Sequence, residues 1–227
     1  MHDHDSEAIW YLRSCSMFDL CSEVELEQIG NMARLHTAIR SAEITLDDVG
    51  SQVYFIKSGH MKLIRVLPDG AEVLVDLLGP GEFFGRIEGV PTLRPAAGGE
   101  EYAVAVDEVL VCLFDRQIFE QILATIPSLQ RNLLTHVADR VEYVSTRLVD
   151  MAFRTASERL ENLLGMLAQR YGIRKGRVTR IPIRLSHSDI GMLTGLSRQT
   201  VARLVGEFRR DGRLEITATD IIVTDPR

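Results

Sequence analysis

Three cysteines in 227 residues, a small and odd number, argue against a disulfide framework and for a reducing compartment. No apolar run approaches the ~20 residues that cross a bilayer. The acidic start, MHDHDSEAIW, lacks the basic opening of a secretory signal. The expectation is a cytoplasmic protein without membrane contact. Catalytic motifs are missing as well: there is no phosphate-cradling Gly-rich loop with Lys, no His-Glu-x-x-His and no Gly-x-Ser-x-Gly elbow. An enzyme is not expected. Nor is there an internal repeat or a low-complexity tract. What remains is an ordinary globular composition, 45% hydrophobic and 26% charged, in a chain long enough for two domains with separate cores.

The charge of −6 is unevenly placed. Residues 1–151 carry 12 Lys and Arg against 24 Asp and Glu, a balance of −12, whereas residues 152–227 carry 14 against 8, a balance of +6. A basic module joined to an acidic one fits a chain of which only the C-terminal part meets phosphate.

Within the basic part, Ile183 to Phe208 reads as two short helices around a tight turn. Ser186 and Ser188 are both good N-caps, and Asp189 puts negative charge where the helix dipole favours it. Ile190 and Leu193 give this helix an apolar side, and Gly191 is small. Gly195 breaks the helix where positive φ is needed, with Leu196 tucked inward. Ser197 caps the second helix, in which Val201, Leu204, Val205 and Phe208 form one stripe. That stripe leaves Arg198, Gln199, Thr200 and Arg203 near the outer, N-terminal end. Arg can pair with guanine O6 and N7, and Gln with adenine N6 and N7. The stretch predicts a helix-turn-helix whose second helix enters the major groove. Ser186, Ser188, Ser197, Arg198, Gln199, Thr200 and Arg203 are the candidate DNA-binding residues.

Upstream, residues 5–14 and 22–34 show helical periodicity, the second with Val24, Leu26, Ile29, Met32 and Ala33 on one side. From Thr37 to Phe114 short β runs alternate with glycine turns: QVYFIKSG, HMKLIRVLPDG, AEVLVDLLGPG and EYAVAVDEVLVCLF. Pro68-Asp69-Gly70 and Gly79-Pro80-Gly81 serve as turns, and the pattern predicts a small antiparallel barrel or roll. Arg94 to Gly99 reads as a loop. Helix returns at Arg116 to Ile126 and stops at Pro127. A long helix to about Met151 follows, in which Leu134, Val137, Val141, Val144, Leu148 and Met151 keep an a/d repeat with charges between. This predicts a parallel dimer seam, since two reading helices need a two-fold axis. Then come a hinge near Ala152-Phe153-Arg154, a helix from Thr155 to Tyr171, and a loop rich in Gly, Arg and Lys (Gly172 to Arg177). RLEITATDIIVTD is read as a two-stranded wing around Ala218-Thr219-Asp220.

With VYFIKSGHMKLIRVLPDG, LLGPGEFFG and LSHSDIGMLTGLSRQTVARLVGEFRRDG, the chain resembles the CRP/FNR family of bacterial transcription regulators over nearly its whole length. The resemblance implies an α+β protein. An N-terminal antiparallel β roll, cupin-like or cyclic-nucleotide-binding-like, occupies residues 1–127. A dimerisation helix follows at 128–151 and a winged helix-turn-helix at 152–227. It further implies a homodimer on a pseudo-palindromic operator in double-stranded DNA, with RNA polymerase as a further candidate partner and a signal in the roll passed through the long helix. Arg198, Gln199 and Arg203 are then the base readers; Gln199 stands where many members carry Glu, so the half-site is expected to differ.

In cyclic-nucleotide-binding members a Glu after the Gly-Glu-Phe turn holds the ribose, and a later Arg holds the phosphate. Here Arg86 stands in the first place, within Phe83-Phe84-Gly85-Arg86-Ile87, and Glu101-Tyr102 in the second. Losing one charge-assisted bond costs about 1.5–3 kcal/mol, so cyclic AMP is not expected to be the ligand. The candidate effector pocket is Phe83, Phe84, Gly85, Arg86, Ile87, Tyr102 and Arg140. One alternative is a small anion near Arg86 and Arg140, as 2-oxoglutarate binds in the nitrogen-control branch that residues 181–207 resemble. A second is redox sensing: Cys15, Cys21 and Cys112 stand near positions that ligate an iron–sulfur cluster in the oxygen-sensing member. One Cys-x5-Cys spacing is present and no Cys-x2-Cys, however, so a metal is not expected. A third is haem, for which GEFFGRIEG offers no histidine. The reading of a different class is a ligand-binding module that acts on a protein partner and carries a degenerate helix-turn-helix.

Overall fold

The computed structural model describes residue 12 and residues 15–45, 52–85, 87 and 101–224. The expected loop at 94–99, Arg86 and nearly all of the helical pattern at 5–14 lie outside the described residues. The chain forms two compact units, Met1–Val141 and Glu142–Arg227.

In the first unit, helix α1 (Glu23–Gly30) opens with a capping box between Ser22 and Glu25. Its Leu26 and Ile29 are buried, but Val24 is 64% exposed and Met32, past the helix end, 46%. The expected apolar side is therefore narrower than the sequence pattern. Eight strands follow: β1 (Arg34–Ala38), β2 (Glu43–Thr45), β3 (Gln52–Ser58), β4 (Met61–Val66), β5 (Glu72–Leu78), β6 (Phe83–Gly85), β7 (Glu101–Ala105) and β8 (Val109–Asp115). The run EYAVAVDEVLVCLF thus divides into two strands. They form two antiparallel four-stranded sheets, ordered β1-β8-β3-β6 and β2-β7-β4-β5.

Two cores explain why Val53 to Ile56 is an unbroken apolar run. Tyr54 and Ile56 face a core shared by both sheets, with Met61, Leu63, Leu78, Phe84, Ala103 and Val111. Val53 and Phe55 face the other way, onto Leu26, Ile29, Phe114, Phe119, Ile122 and Leu129. A strand buried on both faces loses the polar alternation of a half-exposed one. Helix α2 (Arg116–Thr125) starts on the side chain of Asp115, which accepts from Gln117 N and Ile118 N. Pro127 then takes the first position of the long helix α3 (Pro127–Phe153), where its missing N–H leaves nothing unsatisfied. In this first unit α3 is anchored by the buried Asn132, whose Nδ2 donates to the Met17 carbonyl at 2.8 Å.

The second unit contains the end of α3, then α4 (Ala156–Tyr171), capped by Thr155 and Glu158. The chain bends at Arg154-Thr155, one residue beyond the centre of the expected hinge. Gly172 to Arg177, expected as a loop, is in fact a hairpin: β9 (Ile173–Lys175) turns at Gly176, with φ 65°, into β10 (Val178–Ile181). All three β9 residues are exposed, so no apolar alternation marked the strand. After α5 (His187–Thr194) and α6 (Arg198–Arg210) come β11 (Leu214–Ile216) and β12 (Ile221–Thr224). The wing is therefore part of a four-stranded sheet, ordered β11-β12-β10-β9.

Candidate nucleic-acid interface

The two helices that carry the candidate readers are fixed by local chemistry. Ser186 Oγ accepts from Asp189 N at 3.1 Å, and the Asp189 carboxylate accepts from Ser186 N at 2.8 Å. Ser188, expected as a second cap, lies instead inside the first turn of α5 with its side chain exposed. The cap goes to Ser186 because Asp189, three residues on, completes the box. Gly195 ends α5 in the left-handed conformation, φ 68° and ψ 29°. Leu196, half-buried, donates its N–H to the Gly191 carbonyl at 2.9 Å. A Cβ on Gly191 would come within 2.6 Å of the Leu196 carbonyl oxygen, so this residue lets the turn fold back on its own helix.

Ser197 caps α6 by accepting from Thr200 N at 3.1 Å. Val201, Leu204, Val205 and Phe208 are all buried beneath the helix, while Ser197, Arg198, Gln199 and Arg203 are exposed and Thr200 half-buried. Arg203 Nη1 donates to Glu207 Oε1 at 2.6 Å. An exposed ion pair one turn apart contributes only a few tenths of a kcal/mol, so a better acceptor can displace it. Arg209 and Arg210 stand in the last turn, complementing the helix dipole.

The residues proposed for the effector pocket are only partly brought together. Phe83 packs on Phe55, with ring centroids 5.4 Å apart, and edge-on to His136 at 5.9 Å. Ile87 belongs to the same core. Phe84 turns the other way and stacks on Tyr54 at 4.8 Å. Gly85, with φ 122°, lies against the Gln52 carbonyl. Tyr102 is on the other sheet, its hydroxyl donating to Glu72 at 2.7 Å; burial and that carboxylate push its pKa up to about 12. Arg140 bonds to Asp76, a carboxylate that is fully buried and also accepts from Leu77 N at 2.9 Å. Sequence reasoning missed Asp76. It also missed Arg65, which pairs with the buried Glu101 and neutralises the acid that stands in the phosphate-binding place.

Cys15 and Cys112 are core residues, and Cys15 Sγ donates to the Gly81 carbonyl at 3.5 Å. Burial pushes their thiols up to about 11 and about 12. Cys21, half-buried beside Ser128 at 3.9 Å, is raised less, again chiefly by burial. Among the described residues no three His, Cys, Asp or Glu side chains converge as a metal site, and no helix is long and apolar enough to cross a membrane.

Residues 44–126 match the cyclic nucleotide-binding domain, and residues 158–227 the Crp-like helix-turn-helix domain. A global nitrogen regulator from Synechocystis is 31% identical over 179 residues, 79% of this chain and 79% of that protein. The chain belongs to the CRP/FNR family. It is a transcription regulator of that type, with a helix-turn-helix for DNA. Members of the family bind DNA and act as dimers. A CRP-like cAMP-activated global regulator from Mycobacterium tuberculosis is 28% identical over 176 residues, 78% of this chain and 77% of that protein. The solved structure of FixK2 from Bradyrhizobium japonicum shares the fold, with a TM-score of 0.69 at 22% identity. It covers 86% of this chain and 93% of that one.

Proposed function

We propose that this CRP/FNR regulator reads a pseudo-palindromic operator as a homodimer, with Arg198, Gln199 and Arg203 on base edges and Ser186, Ser188, Ser197 and Thr200 beside them. One observation carries the assignment. The N-terminal half of α6 presents Arg198, Gln199 and Arg203 to solvent while the opposite stripe is buried, as an element lying in the major groove requires. Pairing runs along Leu134, Val137, Val141, Val144, Leu148 and Met151. Leu134 and Leu148 are each 69% exposed in the single chain, and apolar residues at a/d spacing with that exposure fit a helix that meets its copy. The functional division is a sensing region at 1–127, a pairing helix at 128–151 and a reading module at 152–227, operating in the cytoplasm.

The effector is a small anion or a redox signal rather than cyclic AMP. Glu101 is engaged with Arg65 and Tyr102 with Glu72, so an acid and a phenol stand where the resemblance puts the phosphate-binding Arg. The test of the reading assignment is Arg203→Ala. It is expected to lose about 1–3 kcal/mol of discrimination per base contact, measured as affinity for a duplex enriched from a random pool against affinity for random DNA. Equal loss on both duplexes would remove Arg203 from the readers. Calorimetric binding of cyclic AMP at micromolar strength would overturn the effector assignment.

A further inference from the structure

The contact between the end of α3 and the rest of the second unit is built differently from the apolar cores. Its residues recur on one side of α3 at 143, 147 and 150. The Tyr143 ring lies 5.4 Å from the guanidinium of Arg170 on α4 and 5.6 Å from that of Arg147. Arg147 Nη2 donates to the Leu193 carbonyl at 3.0 Å. Asp150 accepts from Asn162 Nδ2 of α4 at 2.8 Å. A cavity of about 70 Å³ adjoins these groups, bordered by Tyr143, Arg147, Asp150, Leu163, Met166 and Leu193. The join combines these polar contacts with the apolar side chains of Met151, Leu163, Met166 and Leu193, and it is incompletely filled.

Leu193 and Thr194 close α5, and the last carbonyls of a helix have no partner inside it. Two guanidinium groups meet them: Arg147 from α3, and Arg159 of α4, whose Nη1 donates to the Thr194 carbonyl at 3.4 Å. Cations also suit the negative end of the helix dipole. Arg159 ties α5 to its own module, whereas Arg147 ties it to the helix that carries the apolar seam. Val144 and Leu148 lie ~120° around α3 from the 143–147–150 side, so Arg147 is free of the seam itself. Gly191 leaves no slack between α5 and the turn that leads into α6. Fixing α5 therefore fixes the start of the reading helix.

We infer that Arg147 is a positioning residue, a directional clasp that sets where each reading helix is held on the paired α3 helices and hence the half-site spacing the dimer accepts. The inference rests on the reading and pairing roles proposed above. The apolar contacts of Met151, Leu163, Met166 and Leu193 border an unfilled space and are not directional, whereas the hydrogen bond from Arg147 to the Leu193 carbonyl is, so it selects one placement of α5 on α3.

The test compares wild type, Arg147→Ala and Arg147→Lys, the lysine keeping a cation and one donor. The first measurement needs no DNA: trypsin cleavage after Arg154, whose side chain is 51% exposed at the bend. The clasp predicts faster cleavage in Arg147→Ala and a return toward wild type in Arg147→Lys. The second uses a duplex enriched by the wild type from a random pool, with either both half-sites or one. Arg147→Ala is expected to lose roughly tenfold in affinity on two half-sites, within the range of an ordinary coupling, and to keep its affinity for one. It should also be less sensitive to a changed half-site spacing. Equal loss on both duplexes marks a merely structural residue and overturns the inference, as does faster cleavage with an unchanged two-site to one-site ratio. If the wild type enriches no duplex, the reading assignment itself falls, and the cleavage rates then decide the clasp alone: unchanged rates overturn it.

Discussion

Asp76 and Arg140 show most directly what one side chain holds in place. A carboxylate with no exposed surface, on β5, bonds to a guanidinium on α3. Removing Arg140 leaves the buried carboxylate its Leu77 N–H but takes away its guanidinium, a loss of at most about 3–5 kcal/mol. Arg140→Ala is expected to lower the urea midpoint of the N-terminal unit by a corresponding amount, and Arg140→Lys to recover part of it. The thiols give a second outcome at this scale. With Cys15 and Cys112 held near 11 and 12 by burial, thiol titration of the native protein at pH 8 should find Cys21 first. All three should react in denaturant. Because their native pKa values lie above the ordinary 9.0, the protonated thiols contribute stability below that pH and lose it as pH rises toward 11 to 12. The exposure of the candidate readers Arg198, Gln199 and Arg203 on α6 was legible in the sequence because caps and apolar stripes act over four residues or so. The contacts of Arg140 and Arg147 were not legible, since their partners lie 64 and 46 residues away.

The α5–turn–α6 element depends on two glycines for different reasons. Gly195 needs its positive φ, and a side chain there meets nothing closer than 3.5 Å, so the cost is conformational, about 1–2 kcal/mol. Gly191 needs its missing Cβ, which would strike a backbone carbonyl that cannot turn aside. Gly191→Val is therefore expected to lower the melting temperature of the second unit more than Gly195→Ala, and to weaken DNA binding beyond what the stability loss explains. Calorimetry with a gel shift checks both. Elements bounded by side-chain caps, glycine or proline were legible in advance: α2, α4, α5 and α6 lie within two residues of their expected ends. The hairpin β9–β10 was not. Its first strand is Ile-Arg-Lys, exposed throughout, and it exists because β10 pairs with both β9 and β12, a partnership no local pattern announces.

At the scale of the whole molecule, the apolar side of α3 stands out. Val141, Val144 and Leu148 are 56%, 57% and 69% exposed in the single chain, more apolar surface than one helix ordinarily leaves in water. Leu148→Glu, which seats a charge at the seam, is expected to shift the protein to monomer in sedimentation while the roll keeps its melting behaviour. A dimer that survives the substitution would move the pairing surface elsewhere. The order of the second unit's sheet has a consequence for synthesis. β12 is an inner strand, bonded to β11 on one side and β10 on the other, yet it is synthesised after the other three strands of its sheet. A chain cut short before residue 221 would carry the whole β roll and no closed sheet beside the helix-turn-helix. Any such fragment that still paired with a full-length chain would silence it, so truncated products of this protein are expected to behave as dominant inhibitors rather than as bystanders.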